Sequence, residues 1–292
     1  MTSKPTGWRR LFRLTNNRVR LGVGLVLAVL FCIQCCQPQD PQGESILVAT
    51  ELELGGTTPA DLQRLETLAE KDPAALLEKA LQRYRRNVHT YTCTFIKQER
   101  INGKLKPEQW MEVKFREEPF SVAMAWVKNT PLGDRVLYVE DKYNGMMLIR
   151  PAGIWKFLGT QMRAPESPQV MANTLRPITM FGFRRGLESL LEVYRLAQQR
   201  GECEHRVEGI VNVDGRQVLK MTRLLPPRKD YPAKRTVIYL DAEHLVPVGV
   251  EGFDWDDELI CRYIYRDVNF GADLTAEDFT PKSNGMQPPK LK

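Results

Sequence analysis

The 292-residue chain has only three histidines and six cysteines, and neither set has the spacing of a metal site. His89, His205 and His244 lie far apart, and Cys203-x-His205 has no second ligand pair to complete a tetrahedral centre. A Gly-x-Ser-x-Gly elbow, a phosphate-binding glycine loop and a dinucleotide fingerprint are missing too. The acid pair Asp256-Asp257 follows Trp255 at a hairpin tip, where carboxylates are usually solvated. These absences predict a protein that is not an enzyme and has neither cofactor nor metal. Beyond residue 36 only Cys93, Cys203 and Cys261 remain, enough for one disulfide at most and too few for a disulfide scaffold. A net charge of +6 also misleads, because Lys4, Arg9, Arg10, Arg13, Arg18 and Arg20 supply six cations in an acid-free segment and leave a neutral remainder. Without a global positive field or an aromatic-basic signature, nucleic acid is excluded as a partner. No internal repeat is visible.

The six early cations run into Leu21–Ile33, thirteen residues without a charge, and then into a polar stretch from Gln34. A bilayer span needs about 20 apolar residues, so this pattern predicts an export signal over residues 1–36 rather than an anchor. At the end of the run, where small residues would mark cleavage, stand Cys32, Cys35 and Cys36. The placement resembles a bacterial lipoprotein signal and makes Cys35 and Cys36 the lipidation candidates; the alternative is that they are small apolar residues of the signal core. Either way the chain is expected to work in the cell envelope, on the periplasmic side, and to be tethered to the membrane through a lipid or through an uncleaved signal. Residues 37–57, polar and broken by Pro and Gly, read as a linker.

Thr58-Pro59 and Asp72-Pro73 are each a capping residue followed by proline at the first helical position, and each leads into apolar residues at helical spacing. Two amphipathic helices follow from this. At Tyr91 the period changes to two: Tyr91–Arg100, a turn at Asn102-Gly103, then Trp110–Arg116 with Met111, Val113 and Phe115 facing opposite to Glu112, Lys114 and Arg116. Further strands are expected at 120–127, 135–139, 146–149 and 154–157. An irregular stretch and a helix over 187–196 come next, and then strands at 206–211, 216–224, 235–240, 246–253 and 258–265. The fold class is α+β, a mostly antiparallel meander with a few helices. Residues 282–292 read as a frayed, disordered tail.

The order of two helices, a Tyr-Thr-x-Thr-Phe strand, Trp110–Arg116, Glu118-Pro-Phe120 and the Trp126 strand resembles the LolA/LolB-like lipoprotein carriers, as does the ending Ala276-Glu-Asp-Phe-Thr-Pro281. The motifs Glu99-Arg100-x-x-Gly103, Lys114-x-Arg116-x-x-Pro119-Phe-Ser-Val122 and the Gly145–Pro151 stretch look like the bacterial family called domain of unknown function 1571. The resemblance covers about residues 60 to 281. It implies an incomplete, half β-barrel domain over 58–281, helices over its open face and an apolar cavity that in the carriers takes acyl chains. Those carriers hold their closed state with an arginine bonded to lid backbone. Arg116 stands at the matching place, with Glu117 and Glu118 inserted before the proline, although its alternation with Glu112 and Lys114 also reads as a solvated face.

A curved sheet must fill its concave side, and the large candidates are Phe95, Met111, Phe115, Met124, Trp126, Met147, Phe253 and Tyr263. Ordinary core packing is the bland reading of each. The irregular stretch before the last helix is long for a simple connection and predicts a lid carrying Met171, Leu175, Met180, Phe181 and Phe183. The chain is thus expected to bind an acyl chain or a lipidated protein non-covalently. A sensory or protein-interaction module with a membrane-protein partner is the alternative, since envelope-stress regulators resemble the same fold. A hydrolase is the third reading.

Overall fold

In a computed structural model, residues 54–289 are described; the expected export signal over residues 1–36, with Cys35 and Cys36, lies outside them. Two capped helices open the fold. α1 (Pro59–Lys71) starts at a capping box between Thr58 and Asp61, and α2 (Pro73–Asn87) starts where the Asp72 carboxylate accepts from the Ala75 N–H at 3.0 Å. Both caps fall where the Thr-Pro and Asp-Pro pairs place them, because each satisfies N–H groups that the first helical turn leaves unpaired.

The strands are β1 (Thr90–Ile101), β2 (Lys104–Leu105), β3 (Gln109–Arg116), β4 (Ser121–Lys128), β5 (Gly133–Val139), β6 (Met147–Pro151), β7 (Gln161–Arg163), β8 (Glu204–Val213), β9 (Arg216–Leu224), β10 (Arg235–Asp241), β11 (Pro247–Phe253) and β12 (Leu259–Asn269). They form one antiparallel sheet in the order β7-β6-β5-β4-β3-β1-β12-β11-β10-β9-β8, with β2 paired to β1 beside this path. The chain starts at the middle strand, works outward to the β7 edge, crosses to the β8 edge and works back to pair β12 with β1. The crossing carries α3 (Pro168–Met171) and α4 (Phe183–Gln199), and the topology therefore lays this segment across one face of the sheet.

α4 is amphipathic, with Phe183, Leu187, Leu190, Leu191 and Tyr194 on its buried stripe, and it packs with α2 and the sheet. At its start Gly182 has φ 106°, and a Cβ there would lie 2.8 Å from the Phe115 ring, so this close approach admits only glycine. The other face of β4, β5 and β6 is not bare. Ala123, Leu137, Val139 and Leu148 are covered there by Phe279 and Met286.

Two sequence expectations need correction. Residues 154–157 are not a strand but belong to a 3-10 turn, Gly153–Leu158, because Gly153 at φ 57° takes the backbone out of extended conformation. The chain past Pro281 packs rather than frays as far as Met286, which is buried against the outer face of the sheet. Cys93, Cys203 and Cys261 are all free thiols; burial pushes the Cys261 thiol up to about 11 and that of Cys93 higher still, so neither is a reactive thiolate.

Candidate functional site

Strand alternation decides what the inner face offers. Inward on β1 are Tyr91, Cys93, Phe95, Lys97 and Glu99; on β3, Met111, Val113 and Phe115; on β4, Val122, Met124 and Trp126. Near α2 and α4 this face is filled. Tyr91 stacks on Phe115 at 4.6 Å between centroids, and Phe183 lies 4.9 Å from Tyr91 and 4.4 Å from Tyr265. Toward the β1–β3 hairpin end it is not filled, and a cavity of about 710 Å³ opens between the sheet and the crossing segment. Packed interiors leave few voids larger than a water molecule, whereas ligand pockets run from about 300 to 1,000 Å³, so this space is a pocket and not a packing defect.

Six of the sequence candidates meet on its wall: Phe95, Met111, Met124, Trp126, Met147 and Tyr263. Trp126 is only half-buried, since one side of its indole faces the open space while its Nε1–H donates to Gln109 Oε1 at 3.0 Å. Phe115 is a correction, being core that is fully enclosed by Tyr91, Phe120 and Phe181. Phe253 is another: it is half-buried beneath the Arg235 guanidinium, 3.6 Å from its ring, and does not line the cavity. Of the expected lid residues, Met180, Phe181 and Phe183 form part of the wall. Met171 and Leu175 do not; the short α3 turns Val170 inward instead, and Leu175 packs on the core.

Arg116 makes no latch. It lies on the outward face of β3, where Nη2 donates to Ser121 Oγ at 3.1 Å and the guanidinium sits 4.9 Å from the Phe279 ring, away from the crossing segment. Its neighbour Glu117 does tie both α2 and α4 to the end of β3. Tyr84 of α2 donates to Glu117 Oε1 at 2.8 Å, and Arg184 of α4 approaches Oε2 at 3.0 Å. Burial raises the Glu117 carboxyl above its ordinary 4.5, outweighing the Tyr84 hydrogen bond and the charges of Arg184 and Arg185 that lower it. A carboxyl whose pKa is raised by folding contributes stability that is complete below 4.5 and is lost as pH rises through the folded value. Glu117→Gln is therefore expected to gain stability relative to the parent as pH rises through that window, as measured by denaturant unfolding at several pH values. A difference that does not change with pH, or one that turns against Gln, would contradict this account.

The sequence reading missed two features. Lys97 and Glu99 face inward among apolar residues, and the period-two register of Tyr91 and Phe95 already carried that signal. The cavity also has an apolar lip: Leu132, Trp155 and Leu158 line it yet are 78%, 51% and 52% exposed, with Ile154 and Phe157 beside them at 80% and 76%. Soluble proteins seldom gather such exposure without a partner for it. Among the described residues no group of His, Cys, Asp and Glu could hold a metal ion, and no helix is long and apolar enough to cross a membrane.

The family model described as protein of unknown function (DUF1571) matches residues 88–287, more than half of the chain and the whole of this cavity's sheet wall. The chain belongs to this family. Nothing among curated proteins matches it. Solved structures with a similar fold include the MucA/MucB complex of Pseudomonas aeruginosa, at 13% identity, 75% of this chain, 64% of that chain and TM-score 0.44. The Mycobacterium tuberculosis lipoprotein LppX is similar at 12% identity, 70% of this chain, all of that chain and TM-score 0.41. A LolA superfamily protein from Nitrosomonas europaea is similar at 8% identity, 70% and 97% coverage and TM-score 0.29. The chain spans less than two thirds of the length of MucB, 62% in one structure of that protein alone.

Proposed function

We propose that this DUF1571 chain is an exported, membrane-tethered binder of an acyl chain or of a lipidated protein, acting by burial and without catalysis. The observation that carries the reading is the cavity of about 710 Å³ on the inner face of an unclosed sheet, walled by methionines and aromatic rings. At about 0.8 kcal/mol per methylene removed from water, about ten methylenes supply roughly 8 kcal/mol, less the cost of opening the wall. Methionine suits such a wall because its unbranched thioether repacks around different chain shapes. The segment between β7 and α4 has little regular structure, roofs the cavity, and is the part of the wall we take to move.

The apolar lip supports delivery from a lipid surface, since a chain entering past Leu132, Trp155 and Leu158 need not cross water. A fluorescent fatty acyl probe held in phospholipid vesicles is therefore expected to pass into the protein. Ile154→Ser with Phe157→Ser should slow that transfer several-fold and leave stability within about 0.5 kcal/mol, since both side chains are exposed. Transfer at the parent rate would remove the lip from the mechanism, and failure of the parent to take up probe would leave the second reading, in which the lip docks a protein.

A further inference from the structure

The cavity wall is not uniformly apolar, and its polar part is built rather than scattered. Lys97 follows Phe95 on the inner face of β1 at a spacing of about 6.6 Å, opposite Gln109 of β3 and Tyr263 of β12, while Phe95 lies opposite Met111 and Tyr265. Lys97 Nζ donates to Glu99 Oε2 at 3.1 Å and to Thr174 Oγ1 at 3.0 Å. Glu99, 4% exposed, also accepts from the Tyr263 hydroxyl at 2.7 Å. Arg176 stands over the Tyr263 ring at 5.5 Å. Glu99 thus holds Lys97 through Oε2 and Tyr263 through Oε1, and the Lys97 ammonium uses two of its three N–H groups and borders the cavity. Arg176 and the exposed Arg163 also line the cavity, and Glu99 is the one carboxylate among its lining residues.

Lys97 has its counter-ion in Glu99, but its two hydrogen bonds leave the ammonium one N–H for a group in the cavity it borders. We propose that Lys97, held by Glu99 and Thr174 and flanked by Arg176, is a head-group subsite for the anionic end of a single-chain amphiphile, a carboxylate or a phosphate monoester, whose tail lies along Met111 and Met124. This rests on the reading of the cavity as an acyl-chain site, and it adds the class of ligand. Charge-assisted hydrogen bonds at a partly desolvated lysine are among the stronger polar contacts, which makes head-group charge a selector here.

The test is competition for a bound fluorescent acyl probe at pH 7.4 by oleate, 1-oleoyl lysophosphatidate and oleyl alcohol, which share one tail. One or both anions should compete at least tenfold better than the alcohol, and whichever gains more identifies carboxylate or phosphate as the head. Lys97→Met should remove that gap and leave competition by the alcohol unchanged. Lys97→Met with Glu99→Gln, which strands no buried carboxylate, should do the same if the single variant folds poorly. Equal competition by all three in the parent, or an equal loss for all three in the variants, overturns the subsite while leaving the acyl-chain reading intact. If neither the probe nor any of the three binds, both fall.

Discussion

Phe183→Ala is expected to cost about 3–5 kcal/mol of stability, the usual range for deleting a fully buried phenyl ring. The ring has no exposed surface and lies within 6.2 Å, centroid to centroid, of Tyr84, Tyr91, Tyr265 and Phe270, so it joins α2, β1, β12 and the start of α4 at one point. Because Gly182 is pressed against Phe115, the backbone cannot shift inward to fill the space left behind. For a domain of this size the loss should lower the melting temperature by roughly 10 °C, readable by calorimetry. A loss below about 1 kcal/mol would mean the helices do not close on the sheet in this way. Trp126→Ala is a useful contrast. Its indole faces the cavity on one side, and its removal should cost far less stability than that of Phe183.

The largest effect on binding is expected from filling the cavity. Val136 lies on the wall between Met124 of β4 and Ile149 of β6, in a strand position that accepts large side chains. Val136→Trp places an indole where an acyl chain would lie. If it keeps out about three methylenes, the lost burial is about 2.4 kcal/mol, or roughly a 50-fold weaker Kd for an acyl probe. Stability should hold or rise, because the indole gains contacts in an existing space. Unchanged affinity would place the ligand elsewhere, and a matching loss of stability would mean that the space is not there in solution.

How far the sequence carries the fold depends on which signals are local. The β1–β3 hairpin, both capped N-terminal helices and β9 are legible because alternation, Asn102-Gly103 and the Thr-Pro and Asp-Pro caps act within a few residues. The three-residue β7 and the 3-10 turn over Gly153–Leu158 are not, being too short for a period and decided by a glycine at positive φ. Met286 reads as tail because its burial depends on the outer face of β4, β5 and β6, formed more than a hundred residues earlier. The helix-to-sheet tie illustrates a one-residue error with a physical cause. In a strand neighbouring positions face opposite ways, so Arg116 points outward to Phe279, and the ion pair with α4 forms at Glu117, just past the end of β3. Of the eight candidates chosen by parity and size, six lie on the cavity wall. Lys97 and Glu99 share that parity, but charged side chains seldom occupy an inner face; here they pair with each other and with Thr174 and Tyr263 beside the cavity.

A carrier of this kind must hold an acyl chain in its cavity in the cell. The most direct measurement is native mass spectrometry of the protein extracted from envelope membranes, followed by extraction and identification of whatever is bound. The expected spectrum shows one acyl-chain ligand per protein, released on unfolding and absent from Val136→Trp prepared in the same way. Protein that arrives with an empty cavity, in stoichiometric complex with another polypeptide that carries no lipid, would contradict the account.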